Sequence, residues 1–290
     1  MATATARTVR LLRVLRAAGP LKKKRAPLPK QQQPDGLRRD YYKAILPFAR
    51  QAAKAFARVK PEVLRQLADF RKEQQGKTDG ARMDAMPAST KKLLAGAQAK
   101  AAKALDQTEL FAVAEKFGTA TTKFQREQLD KQVQAAISVP YSAIEKPTRD
   151  RVPAFAKENV DLIKTVPERY FGRIQDAVQA AYESGESVDT LIDRLQDIDD
   201  ISDNDAARIA RDQIGKLNGQ VNADRQQALG ATRFVWRTMN DERVRDEHAE
   251  LEGETFDWDD PPEEGIPGEP IQCRCYAEPD FSDILGGVDE

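Results

Sequence analysis

The chain has 290 residues, with charged residues at 32%, aromatics at 7%, and 16 each of Gly and Pro, for a formal net charge of −1. At roughly 150 residues per domain this makes one large or two modest domains. High charge with few aromatics favours long solvated helices and argues against an all-β sandwich or barrel. The longest uncharged run, residues 132–144, is too short for a membrane-spanning helix, and the two cysteines share a single C-x-C, which excludes a disulfide framework and points to a reducing compartment.

Charge is distributed unevenly. Residues 1–60 hold 16 Lys/Arg against 2 Asp/Glu, whereas residues 241–290 hold 3 against 18. A basic arm gains free energy by releasing counterions from a polyanion, and an acidic end is repelled by one. At the start, Arg7, Arg10, Arg13 and Arg16 recur among Leu and Val, and Lys22, Lys23, Lys24 and Arg25 follow. This is a basic amphipathic arm suited to DNA or an acidic protein surface, and it also has the Arg-rich, acid-free look of a transit peptide. Residues 27–36, rich in Pro and Gln, read as an extended linker with little to bury.

From 38 to 75 the apolar spacing of Tyr42, Ile45, Leu46, Phe48, Val63, Leu64, Leu67 and Phe70 predicts helices interrupted at Pro47 and Pro61. After a Gly-rich break at 76–80, Ser89 or Thr90 is expected to cap a helix running to about Asp106. A further helix spans Glu109 to about Ile137, with a break at Gly118. Pro140, Pro147 and Pro153 mark a boundary. Beyond it, Pro167 suits a first helical turn, Gly185 a left-handed end and Ser187 a second cap, while Ser202 with Asp205 opens a helix running to Gly230. Alternation of Phe234, Trp236 and Thr238 with Arg233, Val235 and Arg237 then predicts a half-buried strand. A turn at 240–242, a short helix over 244–251 ending at Gly253, a Pro/Gly/Glu loop over 259–270 and a second strand over 271–277 complete the reading. The expected fold is mainly α: a basic arm and linker over 1–37, a helical domain over 38–150, an α+β module with a small antiparallel sheet over 151–285, and a tail over 286–290.

The single histidine, His248, lies 25 positions before Cys273. In a strand Cys273 and Cys275 point to one face, so two thiolates and an imidazole can converge on a soft divalent ion such as zinc, with Asp241 or Asp246 as a fourth ligand. The bland alternative has His248 bracing its helix while the thiols pack as small apolar groups. A Cys–His nucleophile is disfavoured because the acidic neighbourhood raises a thiol pKa. Asp259, Asp260, Glu263 and Glu264 stand in a Pro-rich loop, where a solvated face explains them. No phosphate loop, H-E-x-x-H or G-x-S-x-G is present, so an enzyme is not expected.

Three segments carry a resemblance: I-A-R-D-Q-I-G-K-L-N-G over 209–219, W-R-T-M-N-D-E-R-V-R-D-E-H over 236–248, and P-G-E-P-I-Q-C-R-C-Y-A over 267–277. In this order and spacing, across about residues 155–280, the chain resembles the phage Mu F-like family of minor head proteins. The matching positions are Arg211, Asp212 and Gln213; Trp236, Asp241, Arg243 and His248; and Cys273, Arg274 and Cys275. The resemblance implies a minor capsid protein of a tailed phage or prophage, needed for head morphogenesis and DNA packaging or ejection. It would sit in the virion, in the capsid interior or at the portal vertex, and in host cytoplasm during assembly, with the portal and other head proteins as partners and packaged DNA reached through the basic arm. The rival reading is a metal-dependent enzyme or toxin-like module using His248, Cys273 and Cys275. The chain ends at Glu290, soon after the last motif, so a fused effector is not expected.

Overall fold

A computed structural model describes residues 27–74 and 85–282. The basic side chains Arg7 to Arg25 and the Gly-rich break at 76–80 lie outside the described residues. Helices dominate, and the sheet is small: α1 (Asp35–Ala49), α2 (Gln51–Ala57), α3 (Lys60–Gln74), α4 (Ala88–Lys103), α5 (Gln107–Ile137), α6 (Tyr141–Ile144), α7 (Val152–Ser184), α8 (Val188–Asp199), α9 (Ile201–Leu229), β1 (Arg233–Arg237), α10 (Asp246–Glu250), β2 (Thr255–Asp257) and β3 (Tyr276–Pro279). The mainly α reading with a small C-terminal antiparallel sheet therefore holds. Among the described residues no helix is long and apolar enough to cross a membrane.

Two compact units share the chain, and they are not consecutive. Unit 1 takes the residues up to Arg38, Glu115–Phe155 and those from Arg211 onward; unit 2 takes Arg39–Ala114 and Ala156–Ala210. The Pro-marked stretch 140–153 lies inside unit 1. The chain passes from one unit to the other within α1, α5, α7 and α9, so no linker composition marks the passage.

Unit 2 is built on the periodicity visible in the sequence. Phe56, Val63, Leu67 and Phe70 from α2 and α3, Leu94 and Ala97 from α4, Tyr170, Phe171, Ile174, Val178 and Tyr182 from α7, and Leu191 and Leu195 from α8 form one buried cluster. Its rings meet edge to face: Phe56–Phe171 centroids lie 6.4 Å apart at 87°, and Phe70–Tyr182 4.9 Å apart at 71°. Gly185 has φ +75° and ends α7, and the Ser187 hydroxyl accepts from Thr190 N at 3.1 Å to cap α8, both as the sequence predicts.

Several local expectations fail for tertiary reasons. Pro47 and Pro167 lie inside α1 and α7 instead of breaking or starting them. Thr90 is interior to α4, where its hydroxyl meets Gln66 Oε1 at 2.6 Å, and Pro87 occupies the cap position. Asp106, placed by the sequence at a helix end, caps the next helix by accepting from Thr108 N and Glu109 N, both at 3.0 Å. Gly118 does not interrupt α5. A Cβ there would lie 3.0 Å from Phe155 and 3.1 Å from Val152, so the glycine serves a close side-chain approach rather than a break. Ser202 is buried in the first turn of α9 and does not cap it.

In unit 1 the sheet order is β2-β1-β3, antiparallel throughout, with Phe234 opposite Phe256 and Trp236 opposite Ala277. Phe234, Trp236 and Thr238 are buried, in the alternation read from the sequence. The second strand of that reading divides. Residues 271–275 precede β3, Gln272 turns at φ +55°, and Ile271 is 68% exposed.

The Pro/Gln stretch is no free linker. Gln31 is buried and donates to Gln132 Oε1 at 2.8 Å and to Asn222 Oδ1 at 3.3 Å; Gln32 N reaches Gln128 Oε1 at 3.0 Å, and Gln132 returns a bond to Pro29 O at 3.1 Å. Asn222 also accepts from Gln125 at 2.7 Å and Gln226 at 2.9 Å, while Asn222 and Gln226 both donate to Ala277 O at 2.8 Å. This buried amide seam ties residues 29–32, α5, α9 and β3 together.

Candidate metal centre

His248 sits in α10, a helix of five residues, and is buried against the Trp236 ring, 5.3 Å between centroids at 82°. That packing brings its Nδ1 to 3.5 Å from Cys273 Sγ and 3.4 Å from Cys275 Sγ. The three donor atoms all lie within 4.8 Å of one another, on residues that are each buried. On the far side of the ring, Nε2 faces Glu264 Oε2 at 3.5 Å and makes no hydrogen bond.

The cysteines reach this position through a turn fastened at several points. Cys273 N bonds Pro270 O at 3.0 Å, and Gln272 N donates to Asp212 Oδ1 at 2.9 Å. Arg211 Nη1 donates to Gln272 Oε1 at 3.1 Å, and the Arg245 guanidinium donates to Ile271 O. A little upstream, Gly268 at φ +96° packs onto Gly219 of α9. A Cβ on Gly219 would stand 2.8 Å from Pro267 O and 3.0 Å from Gly268 Cα, so only glycine permits this approach. Arg274, pointing away from the thiols, donates to Asp241 Oδ2 through Nε at 2.8 Å and Nη2 at 2.6 Å, and its carbonyl accepts from Gln33 at 3.1 Å.

Electrostatics separates the two thiols. Cys273 is pulled down to about 6, chiefly because its thiolate accepts a hydrogen bond from Cys275, against an opposing cost of burial; the backbone N–H groups of Cys275 and Gly268 and the His248 charge assist. Cys275 is pushed up by the same shared bond and by burial. One of the pair therefore ionises easily while the other holds its proton. At Asp241 burial raises the carboxyl, but the bond and charge of Arg274 outweigh it and leave the group below its ordinary value.

Of the residues singled out in the sequence, His248, Cys273 and Cys275 come together. Asp241 does not join them, being engaged by Arg274 and by the Arg243 N–H at 3.2 Å. The fourth-ligand expectation for Asp241 is therefore corrected: the arginine beside it in the fold, not an ion, compensates its charge. Arg243 is exposed, and Trp236 and Gln213 are buried. Asp212 and Arg211 hold the turn ahead of the thiols. Sequence reasoning missed Glu264, whose Pro-rich surroundings give no periodic signal, and missed the glycine approach, which Gly215 and Gly219 at helical spacing foreshadow.

Fold and site together define a helical protein with a small C-terminal sheet, beside which the short helix α10 and the turn before β3 bring together a buried His–Cys–Cys donor cluster. Comparison with known proteins finds a match for part of this chain. Residues 172–278, less than half of the chain, match the family described as phage Mu protein F like protein. An uncharacterized protein of Haemophilus influenzae is 34% identical over 131 residues, covering 45% of this chain and 29% of the relative; the chain thus spans under a third of that curated relative. No solved structure matches.

Proposed function

We propose that this chain is a minor head protein of a tailed phage or prophage, acting at the portal vertex in head assembly and in DNA packaging or delivery, as a binding and assembly component and not as a catalyst. The observation that carries the reading is the phage Mu F-like match over 172–278, whose three motif segments converge on one construction. Arg211 and Asp212 secure the turn bearing Cys273, Arg274 secures the turn after β1, and Trp236 backs His248. Motif residues spent on holding one another fit a rigid module that presents a surface. The burial of both thiols, at 5% and 4% exposure, favours this over the enzyme or toxin-like alternative.

In this reading the acidic C-terminal segment faces protein, while the basic arm carrying Arg7, Arg10, Arg13, Arg16, Lys22, Lys23, Lys24 and Arg25 engages packaged DNA or an acidic portal surface. The full chain mixed with the portal protein of the same phage is expected to give a defined complex by native mass spectrometry; two separate species at micromolar concentrations would contradict the portal assignment. DNA affinity is expected to fall steeply with salt and to vanish on deletion of residues 1–26. Unchanged affinity after that deletion would remove the arm from the account.

A further inference from the structure

The geometry points to a zinc site in which His248 Nδ1 and the thiolates of Cys273 and Cys275 are the protein ligands and Glu264 steadies the imidazole through Nε2. The inference stands apart from the head-protein reading, because it rests only on donor atoms in the C-terminal module.

Distances argue first. With Zn–N near 2.0–2.1 Å, Zn–S near 2.3 Å and tetrahedral angles, ligand N···S separations come to about 3.6 Å. The two observed separations, 3.5 and 3.4 Å, lie within about 0.2 Å of that value.

Valence argues second. Both sulfurs address the same nitrogen. A neutral imidazole offers Nδ1 one lone pair and a protonated one offers a single N–H, so Nδ1 itself can hydrogen-bond only one of the two sulfurs well. A cation seated among the three donors satisfies all of them. It also fixes the tautomer: with Nδ1 on the metal, the proton resides on Nε2, a buried atom with no hydrogen bond, which faces the Glu264 carboxylate at 3.5 Å. A carboxylate behind a ligating histidine is the usual outer partner of such a ring. Binding forms two Zn–S bonds to two thiolates; Cys273 already ionises easily, and the proton that Cys275 holds is released to solvent, so the two thiolate charges balance the dication.

The consequence is mechanical. Between β2 and β3 the chain runs through turns and one isolated bridge, Asp257 to Asp260, with no helix or longer strand. Zinc would clasp the end of that segment to α10 and to the Trp236 face of the sheet, as structural zinc does in small modules too loop-rich to hold themselves.

The test uses the full chain, purified reduced without a histidine tag or chelator. Elemental analysis and native mass spectrometry are expected to find one zinc per chain, with a mass gain of zinc less two protons. Cobalt substitution is expected to give the intense visible bands of a tetrahedral site and thiolate-to-metal charge transfer in the near ultraviolet. Cys273→Ser with Cys275→Ser should abolish both signals. Because that double variant can unfold, Glu264→Gln supplies the second arm: a folded protein with the same stoichiometry and an affinity reduced about 10–100-fold. Failure of reduced protein to take up either metal would overturn the proposal. So would zinc retained in the double serine variant, cobalt spectra without thiolate charge transfer, or a Cys273–Cys275 disulfide in protein purified without oxidant.

Discussion

Inside unit 2 the side chains that meet are Phe56, Tyr170, Phe171 and Tyr182, with leucines and alanines filling between them; at the centre of unit 1, where residues 29–32 meet α5, α9 and β3, they are Gln31, Gln125, Gln132, Asn222 and Gln226. Apolar packing is non-directional and degrades by volume, so a truncated side chain costs transfer energy plus the cavity left behind. An amide network is directional and degrades by orphaning: removing one member leaves its partners buried and unpaired. The two regions should therefore answer substitution differently, and unit 1 should be the less forgiving of changes that conserve size.

Phe171→Ala, in the ring cluster of unit 2, is expected to have the largest effect, destabilising by about 3–5 kcal/mol, while Phe171→Leu should restore part of that loss. Urea denaturation checks both. Asn222→Leu, similar in size, is expected to cost about 3 kcal/mol, since Gln31, Gln125 and Gln226 lose their common acceptor and Ala277 O loses a donor. If Asn222→Leu proved neutral, the seam would be packing rather than bonding, and the contrast between the regions would collapse. Gly118→Ala in α5 should cost about 1–3 kcal/mol despite the better helix propensity of alanine, because its methyl group meets Phe155 and Val152. Ser187→Ala should cost about 1 kcal/mol through the lost cap bond to Thr190 N, readable as a small shift in melting temperature.

The smallest effect concerns pH. The Asp241 carboxyl is held below its ordinary value by Arg274, so its contribution is fully present above the unfolded carboxylate value near pH 4 and is lost as pH falls through the folded one. Asp241→Asn should accordingly be less stable than the parent at pH 7, with the difference shrinking below about pH 4. A gap that stayed constant with pH would assign the loss to geometry instead of charge.

The same contrast explains what could be read in advance. The apolar spacings of α3, α7 and α8 carry unit 2, and periodicity finds them because each buried position is hydrophobic. Gln31 and its partners are polar, so the stretch 27–36 reads as linker although it is bonded into the core; nothing in composition distinguishes a glutamine that meets water from one that meets Asn222. Thr90 and Ser202 look like caps for the same reason, since a hydroxyl near a helix start is a cap only if no tertiary partner or burial claims it. Helix ends whose signal is purely local, at Gly185 and Ser187, were legible. At the candidate site the ligand types and their approach were visible in His248, Cys273 and Cys275, but the outer residue Glu264 was not, because its role depends on where a loop without periodicity folds back. Asp241 shows the converse error, a carboxylate at plausible spacing whose charge Arg274 already compensates.

The measurement that bears most directly on the central claim is the protein content of purified phage particles, taken by quantitative mass spectrometry after density-gradient separation from the lysate. A minor head protein should be found in DNA-filled heads at a low and constant copy number relative to the major capsid protein. Its absence from purified heads, with the chain recovered only in the soluble lysate, would contradict a head protein outright.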